Sequence, residues 1–281
     1  MDERGNETKA LVKLDKITVN VGYPDKFPDL SDLEINPSGY IANVVNVNRH
    51  QVKEDIEKLG KPTDKTEFGI TPQQVNAYYS SLDNKIVFPA GILQPPFFYE
   101  SFDDAVNYGA IGSVIAHEFT HAFDDQGSQY DADGKLSNWW AAEDLKRFQE
   151  KQKLIIEQFN DYIVLDNLRL NGALTVGENI ADLGGVSIAF DAFRLQQEKN
   201  GRQLDIDGFT PEQRFFIAWA QLWRVNMTPE AIRLRVNTST TSYHPFRVNA
   251  PFSNLDGFIT AFQLKESDRM VRSANKRIKI W

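Results

Sequence analysis

Two histidines four residues apart, with a glutamate directly after the first, form the most informative pattern in the chain. The run is Ile115-Ala116-His117-Glu118-Phe119-Thr120-His121. On a helix, residues i and i+4 lie on the same face, so His117 and His121 can offer two imidazole nitrogens to one zinc ion. Glu118 points close to the same side and can act as a general base toward water at the metal.

This pattern is specific because its three fixed residue types match by chance in only about one sequence of this length in a hundred. The chain has only four histidines, and two of them lie in this run. The alternative is a helix whose histidines make ordinary polar contacts. The pattern favours a zinc site with hydrolytic chemistry.

A third ligand is required, because catalytic zinc usually takes three protein ligands and leaves one position open. The best candidate is Glu178, in the run Val176-Gly177-Glu178-Asn179-Ile180-Ala181-Asp182. Glu178 and Asp182 face one way from one helix, so we expect Glu178 to bind the metal and Asp182 to hold the free N–H of a ligand imidazole. Asp124 could hold the other imidazole in the same way. Taken alone, the Glu-x-x-x-Asp pattern would more often be a pair of solvated carboxylates.

Several long motifs, in order along nearly the whole chain, resemble the neprilysin family of zinc endopeptidases, which includes the endothelin-converting enzymes and bacterial oligopeptidases. The motifs are residues 76–81, 86–98, 117–125 and 177–182, and the terminal Trp281 also fits. The resemblance implies an α+β, mainly helical zincin (gluzincin-type) fold with a small sheet. It also implies one zinc ion as the cofactor.

The resemblance further implies how a peptide substrate is held. Asn76 and Ala77 would grip the substrate main chain beside a predicted edge strand, which can pair with an extended backbone. Arg247 would bind a substrate carbonyl. Apolar residues would form the pocket for the substrate side chain just after the cut bond, and they imply a preference for bulky apolar residues: Ile92, Phe97, Val114, Leu222 and Trp223. Without the resemblance, Asn76 would be an ordinary strand-end residue.

The segment before Arg247 departs from the family pattern, in which Thr-Asp-x-His, a short stretch and then Phe-Arg follow one another. Counted back without a gap from Arg247, the histidine position falls on Thr241 and the aspartate position on Ser239. That histidine would donate a hydrogen bond to the oxyanion that forms during hydrolysis. Either a shifted loop lets His244 serve, which we favour, or the chain lacks the donor. Loss of one such donor typically lowers turnover by about 10²–10³-fold.

Composition limits the other classes of function. The chain has 281 residues, of which 41% are hydrophobic, and this composition supports a packed core. Its net charge of −8 disfavours nucleic acid or an anionic membrane surface as the main partner. It has no cysteine, which excludes disulfides and thiolate metal sites and suggests a bacterial member of the family. No run of residues predicts a membrane span or a signal peptide.

The resemblance implies that residues 1–281 are one catalytic domain and the C-terminal part of a longer protein, because family members carry a large helical lobe ahead of this region. Residues 8–16 resemble the entry into the catalytic part. We therefore expect peptides and that lobe as partners. The compartment stays open, with an extracytoplasmic location favoured over a cytoplasmic one.

Periodicity and turn residues predict the elements that position these groups. We expect strands over 74–80 and 85–88, a turn at 131–134 and an extended tail from Val271. Within the helix over 141–164, Leu154, Ile155, Phe159 and Ile163 would be buried. Helices are predicted over 8–17, 39–59, 103–126, 141–164, from Glu178 to about 198, over 215–225, after Thr228 and from Asn254.

The sequence thus predicts a zinc-dependent endopeptidase that hydrolyses oligopeptides on the amino side of bulky hydrophobic residues. A second hypothesis is a zinc-containing protein that binds peptides with little or no cleavage, since the donor segment is altered. The intact Glu118 argues against it. A third, a thermolysin-like hydrolase, is disfavoured by the motifs at 76–81 and 177–182.

Overall fold

The computed structural model describes residues 3–281. They contain ten α-helices and five short strands. The helices are α1 (Glu3–Asp15), α2 (Tyr40–Lys58), α3 (Asp104–Asn107), α4 (Ser113–His121), α5 (Ala142–Asn160), α6 (Val176–Asn200), α7 (Pro211–Leu222), α8 (Pro229–Thr238), α9 (His244–Phe252) and α10 (Asp256–Ala261). The strands are β1 (Thr18–Gly22), β2 (Tyr78–Ser80), β3 (Lys85–Pro89), β4 (Ile163–Leu165) and β5 (Leu168–Arg169). The predicted mainly helical architecture with a small sheet is confirmed.

The larger sheet has the order β1-β3-β2, with β1 parallel and β2 antiparallel to β3. Every residue of β3 is buried, as suits a central strand rich in β-branched and aromatic residues. β1 was not predicted. β2 begins at Tyr78 rather than residue 74, so Asn76 and Ala77 lie just before the edge strand and not within it.

The predicted helix over 103–126 is divided into α3, a π-helical turn at Tyr108–Gly112, and α4. Gly109 explains the close contact with α7, because a Cβ there would lie 2.1 Å from the carbonyl oxygen of Phe215. α4 ends at His121, earlier than predicted. The chain then folds back because the Asp124 carboxylate accepts hydrogen bonds from the backbone N–H groups of Gln126 and Gly127, at 2.9 and 2.7 Å.

α6 packs directly against α4, and two glycines make this approach possible. A Cβ on Gly184 would lie 2.9 Å from Thr120 Cγ2, and one on Gly185 would lie 2.7 Å from the backbone nitrogen of His117. The apolar side of α6 also contributes to two cores, one around Trp219 of α7 and one around Ile155 of α5. This close pairing fixes Glu178 on α6 opposite the histidines of α4.

Other elements differ from the predictions in detail. α5 ends at Asn160 and a β4–β5 hairpin follows, so Ile163 is exposed and not buried. Leu154 is also exposed, whereas Ile155 and Phe159 are buried as predicted. α2 is present, but none of its residues is buried. α9 was not predicted, although Pro245 is favourable in its first turn. None of the helices within residues 3–281 is long and apolar enough to cross a membrane.

Candidate metal centre

α4 and α6 bring together the three residues that the sequence predicts as metal ligands. The Nε2 atoms of His117 and His121 lie 2.9 Å apart, and they lie 3.6 and 3.7 Å from the two carboxylate oxygens of Glu178. Zinc bonds of about 2.0–2.2 Å in a tetrahedral site place ligand atoms about 3.3 Å apart. The separations and the two-imidazole, one-carboxylate donor set therefore fit a zinc ion with one open position.

Two aspartates lie next to the outer nitrogens of the imidazoles. Asp182 Oδ1 lies 2.9 Å from His117 Nδ1, and Asp124 Oδ2 lies 2.6 Å from His121 Nδ1. Burial lowers the pKa of His121, but the hydrogen bond with Asp124 and the nearby carboxylates outweigh it and raise that pKa to about 9. With the Nδ1 of each imidazole facing an aspartate, both Nε2 atoms face Glu178 and are placed to bind a metal.

Glu118 is buried beside this cluster and carries an unsatisfied oxygen. Its side chain is 5% exposed, and its Oε2 has no hydrogen-bond partner among the described residues. Burial raises the pKa of the Glu118 carboxyl, although the two histidines act in the opposite direction. A buried acceptor without a partner is unusual, and here it belongs to a side chain that lines a cavity.

Arg247 connects the metal cluster to α9. Its Nε and Nη2 donate to the two carboxylate oxygens of Asp182 at 2.7 Å each, and Nη2 also lies 3.3 Å from Glu178 Oε2. The guanidinium carbon lies 3.8 Å from the centroid of a Trp223 ring. The Asp182 charge raises the pKa of Arg247 against the effect of burial. Arg247 therefore stays cationic next to the ligand carboxylate.

A cavity of about 610 Å³ opens in front of the cluster. Its walls include all but one of the predicted substrate-binding residues: Asn76, Ala77, Ile92, Phe97, Val114, Trp223 and Arg247. Leu222 is the exception among the described residues and instead packs against the core around α7. Trp223, which follows the last residue of α7, packs against the same core and also lines the cavity.

Thr241, and not His244, belongs to the wall among the described residues. His244 begins α9, and its ring centroid lies 6.2 Å from that of Trp223. Burial and the charges of Arg235 and Arg247 lower the pKa of His244 to about 4. Arg235 donates a hydrogen bond to the Thr241 hydroxyl.

Lys13 of α1 contacts the segment that follows α4, and no pattern in the sequence singles it out. Its side chain is 1% exposed, and its Nζ donates to the carbonyl oxygens of Ala122, Gly127 and Tyr130 at 2.6–2.7 Å. These carbonyls flank the segment that carries Asp124. Lys13 is one of several lysines in its region, and nothing in its spacing distinguishes it from the exposed ones. Arg235 was also missed, because nothing in its spacing distinguishes it from the exposed arginines.

The fold and the site define a mainly helical zincin domain, and comparison with known proteins gives its family. Residues 76–278 match the sequence model of Peptidase family M13, and the chain belongs to this family. This assignment excludes the alternative prediction of a thermolysin-like hydrolase.

Similar proteins agree with this assignment. An endothelin-converting enzyme homolog of Locusta migratoria is 41% identical over 92% of this chain and 37% of its own length. A neutral endopeptidase of Lactococcus lactis is 38% identical over 97% of this chain and 42% of its own length. The zinc metalloprotease ZMP1 of Mycobacterium tuberculosis, solved with an inhibitor, superposes with a TM-score of 0.94 at 42% identity, covering 98% of this chain and 42% of that one. The chain thus spans less than half the length of these relatives.

Proposed function

We propose that the protein is a zinc metalloendopeptidase that hydrolyses oligopeptides on the amino side of bulky hydrophobic residues. The observation that carries the proposal is the buried Glu118 carboxylate, which has an unsatisfied oxygen beside three converging metal-ligand side chains and in the wall of a cavity. A site that only bound metal would not need such a base. Membership of Peptidase family M13 supports the same chemistry.

In this proposal, His117, His121 and Glu178 hold a single zinc ion. When bound, the ion supplies Lewis acidity that polarises a peptide carbonyl and acidifies water. Glu118 accepts a proton from the attacking water and later gives it to the leaving amine, which a buried carboxyl with a raised pKa can do. Asp182 and Asp124 keep the two imidazoles oriented.

The cavity walls suggest how the substrate lies. Asn76 and Ala77 immediately precede the edge strand β2, where an extended peptide can find unpaired backbone groups. Apolar side chains in the cavity wall offer a place for a bulky residue after the cut bond: Ile92, Phe97, Val114 and Trp223. We assign Arg247 to a substrate carbonyl, because it lines the cavity beside Glu178.

The wider setting is also a proposal. We take residues 1–281 as one catalytic domain whose intramolecular partner is a helical lobe outside these residues. Such a lobe would restrict entry to oligopeptides. We further propose an extracytoplasmic location.

A second candidate function is peptide binding without cleavage. Its support is the absence of a histidine from the wall position that Thr241 occupies. A binding protein would tolerate the loss of an oxyanion donor, but it would not need Glu118 buried next to the metal ligands.

The test is digestion of a mixed peptide pool by zinc-loaded protein, read by mass spectrometry, with Glu118→Gln as the matched variant. We expect new amino termini at bulky apolar residues, and no products from the variant although it still binds zinc. Zinc-loaded protein that cuts no peptide would support the binding function instead. Cleavage by Glu118→Gln at the normal rate would falsify the role of Glu118.

A further inference from the structure

Thr241 carries a hydroxyl and belongs to the wall of the cavity in front of the metal cluster. Thr241 shares the cavity wall with Glu118, Glu178 and Arg247. The residue lies in the segment between α8 and α9, and its side chain is only half-buried. Its hydroxyl is a neutral group that can donate a hydrogen bond.

The hydrogen bonds around this hydroxyl permit an arrangement in which its proton is free. Thr241 Oγ1 accepts from Arg235 Nη2 and lies 2.8 Å from Ser239 Oγ. Ser239 Oγ already accepts from the backbone N–H of Thr241 at 3.1 Å, so its own proton can go to Thr241 Oγ1. A hydroxyl has one proton and two acceptor positions. In the arrangement in which Ser239 donates, both acceptor positions of Thr241 Oγ1 are used, and its proton is available to a group in the cavity that Thr241 lines.

Arg235 makes this hydroxyl a stronger donor. A cationic guanidinium that donates to an oxygen withdraws electron density from it, and hydrogen bonds in such a chain strengthen one another. Arg235 is half-buried on α8. Its charge is repelled by that of Arg247 and attracted by that of Glu178. Arg235 is thus held beside the metal cluster without an ion pair to a carboxylate among the described residues.

We propose that the Thr241 hydroxyl, polarised by Arg235, donates the hydrogen bond that stabilises the oxyanion during peptide hydrolysis. The proposal rests on the proposed peptidase function. As the water oxygen bonds to the carbonyl carbon, the carbonyl π electrons move onto the oxygen, and Thr241 O–H is directed to that charge. Thr241 is then a catalytic residue. Arg235 acts through it, and Ser239 orients it, so both are positioning residues.

His244 is the competing donor, and its surroundings disfavour it. Its ring stands beside Trp223 and outside the cavity wall among the described residues. Its Nδ1 is buried and has no hydrogen-bond partner in the described chain. Two arginines, Arg235 and Arg247, face it and oppose its protonation.

The test compares the kcat and KM of peptide cleavage across a small set of variants. Thr241→Val removes the hydroxyl and keeps the shape, and we expect kcat to fall about 100-fold, as for one oxyanion donor, with KM and zinc content little changed. Thr241→Ser keeps a hydroxyl and should restore most of kcat. Thr240→Val, at the exposed neighbouring residue, is the matched control and should be neutral.

The role of Arg235 is tested by coupling. Arg235→Gln should lower kcat and leave KM little changed. Arg235→Lys should recover part of the lost kcat. Adding Arg235→Gln to Thr241→Val should have almost no further effect, because Arg235 acts through the missing hydroxyl. If the double variant lost kcat by the product of the two single losses, the claim that Arg235 polarises the Thr241 hydroxyl would be overturned.

The outcomes separate this proposal from the peptidase function. Normal kcat in Thr241→Val, or a larger loss in His244→Gln than in Thr241→Val, would overturn the assignment while the peptidase function stands. If the unaltered zinc-loaded protein cuts no peptide, the peptidase function fails. The Kd of a phosphonamidate peptide, whose tetrahedral oxygens mimic the oxyanion, then decides: we expect Thr241→Val to weaken it at least tenfold, and an equal Kd contradicts the proposal.

Discussion

The Asp182 carboxylate accepts two hydrogen bonds from the Arg247 guanidinium, each 2.7 Å long. Both residues are buried, at 1% and 7% exposed. The pair joins α6 to α9, and the same carboxylate lies 2.9 Å from His117 Nδ1. One buried ion pair therefore couples the packing of two helices to the orientation of a predicted metal ligand.

Replacing Arg247 should damage both stability and metal binding. Lysine cannot form the two-pronged contact, and breaking a buried pair from one side costs about 3–5 kcal/mol. We expect Arg247→Lys to lower the free energy of unfolding by about 2–4 kcal/mol in urea denaturation. Zinc affinity, measured by competition with a chelator, should fall about 10–100-fold. Arg233→Lys, which alters an exposed pair with Asp166, should cost less than about 1 kcal/mol, and equal effects of the two substitutions would contradict this role.

Zinc should stabilise the protein through its three ligands. A ligand that binds only the folded state adds about 4 kcal/mol at a concentration of 1,000 Kd. We expect the Tm in thermal unfolding to rise on addition of zinc and to return on addition of a chelator. Glu178→Gln should lose most of this rise because the amide is a poor ligand, whereas Glu198→Gln, exposed on the same helix, should retain it. A full rise in Glu178→Gln would remove that residue from the ligand set.

Lys13 should be essential for stability although it lies far from the metal ligands in sequence. Lys13→Met keeps the apolar stem but leaves three carbonyl oxygens without their charged donor, and hydrogen bonds to charged groups contribute about 1.5–3 kcal/mol each. We expect a loss of about 3 kcal/mol or more by urea denaturation. Lys16→Met, which removes only an exposed pair with Asp133, is the control. Similar small losses in both variants would show that the Lys13 contacts are not needed.

His244 should make stability fall in mild acid. Its folded pKa of about 4 is lower than the usual value of 6.5, because burial and the charges of Arg235 and Arg247 disfavour its charged form. As pH falls from 6.5 toward 4, His244 becomes protonated in the unfolded state but stays neutral in the folded state. The free energy of unfolding therefore declines in that pH range. In metal-free protein, His244→Gln should therefore lose stability less steeply between pH 7 and 4.5. Parallel curves for the two proteins would contradict this.

The positions of the proposed metal ligands were predictable because their spacing is fixed within single helices. His117 and His121 share α4, Glu178 and Asp182 share α6, and the period of a helix determines which face each occupies. The capping box that Thr210 and Gln213 form at the start of α7 is an equally local pattern. Such signals need no knowledge of distant parts of the chain.

Features that depend on distant contacts could not be predicted in this way. β1 is a strand because it pairs with β3, more than sixty residues later. Its own five residues do not form a pattern that predicts a strand. The π-helical turn before α4 and the burial of Lys13 also depend on packing between separate segments. The contact of Arg235 with Thr241 required the actual path of the chain between α8 and α9.

The most direct test of the central claim is titration of metal-free protein with zinc while cleavage of a peptide with a central bulky apolar residue is followed. The proposed site predicts no cleavage at the start, a linear rise in rate, and a break at one equivalent of zinc. Cleavage by the metal-free protein, or no cleavage at any zinc concentration that fills the site, would contradict the assignment of this cavity as a one-zinc peptidase centre.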